Sequence, residues 1–232
     1  MRRLQTSFDG FTAINAALPT LLLFEFCALI ARNFGLLTLR NHGVEDLLAR
    51  NASALITPVV LGILMIPLLR DNWSALREQL SFRALSWHMV LLSAGLGLAL
   101  RAAWWLTTVI RISPGSPVSP AFHFQCPQPV LLAFTIFVLA VSTPVVEEVF
   151  NRGFLLRVLL PRGNIVAVIV SSLLFGLIHR PDFIVFASIA GGFFALLYLR
   201  MRNLWAPILA HATFNILSIF DQVCLGISWT AR

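Results

Sequence analysis

The sequence predicts an all-α fold, a polytopic transmembrane bundle of about seven to eight helices. Three observations lead there. Hydrophobic residues make up 58% of the 232 residues and charged residues only 12%, whereas soluble domains carry about a quarter charged. The mean hydropathy is +0.85. Apolar runs close to the roughly 20 residues that span a bilayer alternate with short polar breakers. This composition excludes an ordinary water-soluble globule, and it excludes disorder, which needs low hydrophobicity.

The runs fall at about 11–31, 52–69, 87–110, 129–150 (extending to 160), 164–179, 183–200 and 204–220. The first is too long for a signal-peptide core and has no small-x-small cleavage site, so it is expected to persist as a helix. Breakers lie at Arg32-Asn33, Arg70-Asp71-Asn72, Pro161-Arg162-Gly163, Arg180-Pro181-Asp182 and Arg200 to Asn203. Residues 70–86 mix charge with Trp73, Leu76, Leu80 and Phe82, a pattern suited to an interfacial helix lying on the membrane. Residues 111–129 hold Pro114, Pro117, Pro120, Pro127 and Pro129, which should prevent regular structure. The chain thus divides into N-terminal helices over 1–128 and a helical core over 129–221.

The formal charge is +7, and all 17 basic residues are arginine, a composition in keeping with a GC-rich bacterial genome. The arginines flank apolar runs and do not cluster on a soluble face, so nucleic acid is not an expected partner. With the N-terminus inside, the inner segments hold ten arginines and the outer ones six. The positive-inside rule then places the N-terminus in the cytoplasm of a multi-pass protein of the cell (inner) membrane. Cys27, Cys126 and Cys224 form no CxxC pair, and their odd number argues for small apolar fillers instead of a disulfide framework.

Ionisable groups within apolar spans carry the functional information, because a charge at the bilayer centre costs about 2.5–3.5 kcal/mol. Glu25 and Arg101 stand alone in the N-terminal half and read as groups that pair within the bundle or reach a headgroup. The C-terminal half holds three polar groups. In Glu147-Glu148-Val149-Phe150-Asn151-Arg152, adjacent glutamates sit about 100° apart on a helix. Glu148 and Arg152 have the i,i+4 spacing of an ion pair, which leaves Glu147 facing elsewhere as a candidate base. Pro144 removes a backbone hydrogen bond beside it. In Phe175-Gly176-Leu177-Ile178-His179, Phe175 and His179 share a face, and Gly176 permits close helix approach. His211 and Asn215 are again i,i+4 and present an imidazole and an amide to one side of the last helix.

If the fourth helix turns at Pro161-Arg162-Gly163, Glu147 and His179 lie about 20 and 24 Å from that turn and can meet. His211 lies only about 12 Å from its own turn, so the last hairpin must be tilted or offset, which Gly191-Gly192 would allow.

EEVFNR, FGLIH and LWAPILAHATFN together resemble the EExxxR, FxxxH and HxxxN motifs of the CPBP family of intramembrane proteases, the CAAX-protease and bacteriocin-processing or Abi group. The resemblance covers about residues 130–220. Asn151 departs from it, since many members carry Phe or Tyr before the arginine. The resemblance implies Glu147, His179, His211 and Asn215 as catalytic residues, with Glu148, Arg152 and Phe175 in support. Two mechanisms fit these residue types. Glu147 and His179 activate a water while His211 and Asn215 hold the oxyanion, or Glu147, His179 and His211 bind a divalent metal such as zinc. The absence of HExxH, and of a carboxylate beside either histidine on its own helix, favours the first. The implied substrate is a membrane-anchored protein or peptide cut near the bilayer surface. Prenylated tails are not expected in a bacterium, so sorting tails or bacteriocin-like precursors are the expected class. The competing class is a non-enzymatic scaffold, immunity protein or transporter component that uses the same polar groups as helix glue.

Overall fold

The computed structural model describes residues 18–79, 85–111, 118–124 and 126–231. Among the described residues seven helices form the bundle: α1 (Leu18–Asn41), α2 (Asp46–Gln79), α3 (Trp87–Arg111), α4 (Pro129–Arg162), α5 (Asn164–Leu177), α6 (Ile184–Met201) and α7 (Trp205–Ile219). Among the described residues, five stretches are long and apolar enough to cross a membrane: Leu18–Asn41, Asp46–Arg70, Trp87–Thr107, Pro129–Arg162 and Ile184–Met201. Side chains such as Phe34, Ile165 and Val185 are more than 70% exposed on the outside of the bundle, where lipid is the matching solvent. The chain is a multi-pass membrane protein.

The first hairpin differs from the expected one. Arg32-Asn33 does not end α1, because neither residue blocks the helical hydrogen-bond ladder as proline would. The helix runs on to Asn41 and closes at Gly43, whose φ of +73° is a left-handed conformation. Asp46 then ties the two helices together, pairing with Arg40 at 2.6 Å and Arg50 at 2.5 Å. Residues 71–79 continue α2 and do not start a separate interfacial helix. The rest of that expected element, through 84, lies outside the described residues.

The proline-rich stretch also departs from expectation. Val118–Phe124 forms a strand, β1, which pairs antiparallel with β2 (Leu225–Ala231), from Val118 opposite Ala231 to Phe124 opposite Leu225. Pro120 is tolerated because each strand of a two-stranded ribbon is an edge, and a missing N–H there can face outward. A Cys126–Cys224 disulfide closes the base of the ribbon. The expectation that all three cysteines are apolar fillers therefore fails for two of them. An odd total says nothing when two members pair and the third, Cys27, stays free on the exposed face of α1.

α4 carries the main irregularity. Its helical segment Thr143–Glu148 is flanked by π-helical turns at Phe137–Ser142 and Val149–Leu155. In the first, the Thr143 N–H bonds to the Val138 carbonyl, five residues back. In that register the Leu139 carbonyl would pair with residue 144, and Pro144 has no N–H to give. The core packs around this helix. Phe150, Phe154, Leu155 and Leu156 of α4 are fully or almost fully buried against Leu21 of α1, Leu61 of α2 and Ala195 of α6. Gly176 lets α5 lie directly against Ser188 and the Ile184 carbonyl of α6, as its lack of a side chain suggested.

Candidate active site

The two adjacent glutamates of α4 point to different neighbours, and the site is built on that divergence. Glu148 is fully buried and lies 3.1 Å from the Arg152 guanidinium. Its other oxygen is 3.0 Å from Nδ1 of His211 on α7. Arg152 donates onward to the Gly191 carbonyl of α6 at 2.7 Å, and it lies 4.8 Å from the Phe175 ring centroid and 5.7 Å from that of Phe194. Gly191 is required there, because a side chain would meet Phe175. The expected i,i+4 pair is thus one part of a network joining α4, α5, α6 and α7. A buried charge pair is tolerated when its remaining donors and acceptors find partners; the Gly191 carbonyl is one such partner, while Arg152 Nε has none.

His211 is held on two sides. Its ring stacks on Phe194 at 5.2 Å and meets Phe175 edge-on at 5.9 Å. With Nδ1 engaged by Glu148, Nε2 is the nitrogen left for other chemistry. The carboxylate that orients this histidine comes from another helix, which is why inspection of α7 alone did not reveal it.

Glu147 turns the other way. It lines a cavity with His179, Ile178, and Glu25, Ala28, Leu29, Arg32, Thr57 and Leu61 of α1 and α2. Glu147 is 6% exposed, and its Oε2 has no hydrogen-bond partner. His179 follows the end of α5, in the turn that its N–H closes onto the Gly176 carbonyl. Its Nδ1 lies 2.8 Å from the Phe175 carbonyl, an acceptor that fixes Nδ1 as the protonated nitrogen and leaves Nε2 unprotonated in the neutral ring. Phe175 sits between the two histidines, 4.9 Å from His179.

The four residues expected to be catalytic are therefore not equally placed. Glu147 and His179 share one cavity, His211 approaches through Glu148 and the aromatic pair, and Asn215 is engaged on the backbone of α4. Asn215 donates to the Leu139 carbonyl at 2.6 Å, the acceptor that Pro144 deprives of its helical partner. Among the described residues, no three side chains of His, Cys, Asp or Glu are gathered to hold a metal ion. The set Glu147, His179 and His211 does not fit a metal centre as it stands.

Sequence reasoning missed the α1 and α2 contribution. Glu25, read as a pairing or headgroup residue, instead lines the cavity, and its Oε1 is buried without a partner. Arg101 does pair within the bundle, with Asp221 beyond α7. The signal for Glu25 was its position within an apolar run; its direction required the packed bundle.

Residues 129–217 match the family model described as "Type II CAAX prenyl endopeptidase Rce1-like". Over 90 residues the chain is 32% identical to "Putative membrane peptidase YdiL" of Bacillus subtilis (strain 168), covering 38% of this chain and 37% of that one. The chain thus spans well under half the length of this curated relative. No solved structure matches. The matched span covers α4 to α6 and most of α7, with all three motifs whose buried side chains form the network and the cavity wall, so over these residues the chain is similar to the type II CAAX prenyl endopeptidase Rce1-like family.

Proposed function

We propose that the chain is an intramembrane endopeptidase that hydrolyses a peptide bond in a membrane-anchored protein or peptide near the bilayer surface. The observation that carries this reading is the buried cavity shared by Glu147 and His179, which pairs an unpartnered carboxyl oxygen with an oriented imidazole. Glu147 takes a proton from a water as the water oxygen bonds to the scissile carbonyl carbon, with His179 Nε2 orienting that water. His211, held at Nδ1 by Glu148, donates from Nε2 to the resulting oxyanion. Asn215 has one amide N–H left after its bond to Leu139, and this is the donor it contributes. The C–N bond then breaks, and the departing amine takes up a proton.

The reaction in this form needs no metal. Glu148 and Arg152 act by holding His211 in place. Substrates enter from the lipid, and their selection belongs to α1, α2 and the segment between α3 and α4. The N-terminus faces the cytoplasm.

The test is cleavage of a panel of acyl- and prenyl-anchored, internally quenched peptides by the detergent-purified protein, with and without a strong chelator. Cleavage that survives chelation and disappears in Glu147→Gln supports the reading. Loss on chelation with recovery on adding zinc replaces it with a metalloprotease.

A further inference from the structure

Several buried oxygens at the site have no hydrogen-bond partner: Glu147 Oε2, Glu25 Oε1 and Thr57 Oγ1 belong to residues that line the cavity, and Asn151 Oδ1 lies one turn beyond Glu147. Glu147 and Glu25 line the same cavity from opposite halves of the chain. Asn151 is fully buried one turn beyond Glu147, with its Nδ2 donating to the Glu147 carbonyl at 2.9 Å. Its side chain adjoins the Glu25 carboxyl, which also lies within electrostatic reach of Glu147 and Arg152. Two buried carboxyls that line one cavity hold a proton between them, because each one ionised and unpaired carries a desolvation penalty. A protonated carboxyl is a donor as well as an acceptor, and among the donors lining the cavity it is acidic enough to give its proton to a leaving amine, as the Thr57 hydroxyl and the Arg32 guanidinium are not.

We propose that Glu25 is a further catalytic residue, the acid that protonates the departing amine, and that Asn151 positions it. The assignment rests on the protease reading above. Glu147 receives its proton from the attacking water and remains protonated through the tetrahedral intermediate. When the C–N bond breaks, the electron pair stays on nitrogen and the Glu25 carboxyl proton passes to that nitrogen. Glu25 is left as a carboxylate and Glu147 as the acid. Transfer of the Glu147 proton to Glu25 across the cavity restores both groups. The Asn151 amide N–H that the Glu147 carbonyl leaves free donates to the Glu25 carboxyl and holds it toward the cavity. Asn151 stands where many CPBP proteins carry an aromatic residue, so this pairing belongs to this chain's own version of the site.

An amide leaving group needs protonation far more than an alkoxide does, which separates this role from a structural one. The experiment uses a peptide that the full-length protein cleaves and its depsipeptide, with oxygen replacing the scissile N–H, on wild type, Glu25→Gln, Glu25→Asp and Glu147→Gln. The ratio of amide to ester cleavage should fall about 100-fold in Glu25→Gln, as loss of a general acid does. It should recover most of the wild-type value in Glu25→Asp. Glu147→Gln should lose both reactions together. A Glu25→Gln ratio equal to that of wild type overturns the assignment, whether the two rates fall together or stay unchanged. If Glu25→Gln does not yield folded protein, a tenfold rise in the ratio in Asn151→Ala or none at all is equally decisive against it, since a displaced Glu25 must lower the ratio. A wild-type chain inert on every peptide and depsipeptide overturns the protease reading, and this assignment with it.

Discussion

Replacing Arg152 by methionine should destabilise the bundle through the charge it leaves behind. Arg152 is 1% exposed and Glu148 fully buried. The substitution removes the 3.1 Å ion pair, the 2.7 Å bond to the Gly191 carbonyl and the stacking on Phe175. What remains is a carboxylate with His211 as its single close partner. Breaking a buried pair from one side costs about 3–5 kcal/mol, more than the pair contributes when both partners are replaced by apolar groups. The double variant Arg152→Met/Glu148→Gln should therefore be more stable than Arg152→Met alone by about 1–3 kcal/mol, a coupling in the range expected for direct contacts. Equilibrium unfolding in mixed micelles, followed by tryptophan fluorescence, measures both differences. A double variant less stable than Arg152→Met would refute the argument, because the uncompensated charge would then not be the source of the loss.

Asn215→Ala should cost about 1–3 kcal/mol by leaving the Leu139 carbonyl without a donor, and Pro144→Ala should restore much of it by returning an N–H to that register; the same unfolding assay reads both. Gly191→Leu should prevent the close approach of α6 to Phe175 and yield little folded protein on size-exclusion chromatography. Replacing Cys126 and Cys224 by serine should lower the unfolding free energy by about 2–4 kcal/mol, as expected when a long loop is no longer closed, while reducing agent should leave the unfolding of that variant unchanged. Glu148→Gln should weaken cleavage less than Glu147→Gln does; equal loss at unchanged protein level would mean that the roles of the two glutamates have been wrongly divided.

The helical runs were legible because lipid imposes a length and a polarity that sequence displays directly. The divergence of Glu147 from Glu148 was legible for the same kind of reason, since helical geometry alone separates neighbouring residues by 100°. What stayed hidden depended on contacts between distant segments. Nothing local in α7 announces that Glu148 will orient His211, and nothing local in α1 turns Glu25 toward Glu147. The Arg32-Asn33 break was misread because charged residues end apolar runs without ending helices. The role of Asn215 on the Leu139 carbonyl required knowing that a π turn shifts the register beside Pro144. β1 was hidden because its pairing partner lies about a hundred residues away, beyond the reach of any local pattern.

The Cys126–Cys224 bond also has a parity. Two covalently joined sulfurs must lie on one face of the membrane, so the chain between them has to cross it an even number of times. Four helices, α4 to α7, fill that interval, which requires the two shorter ones, Asn164–Leu177 and Trp205–Ile219, to cross together or not at all. Such bonds persist on the oxidising side of a cell membrane. Three crossings, by α3, α2 and α1, would bring the N-terminus to the reducing side, the orientation proposed above. The arginine count leads to the same expectation from charge alone, and thiol-reactive labelling of single-cysteine variants in whole cells tests it directly.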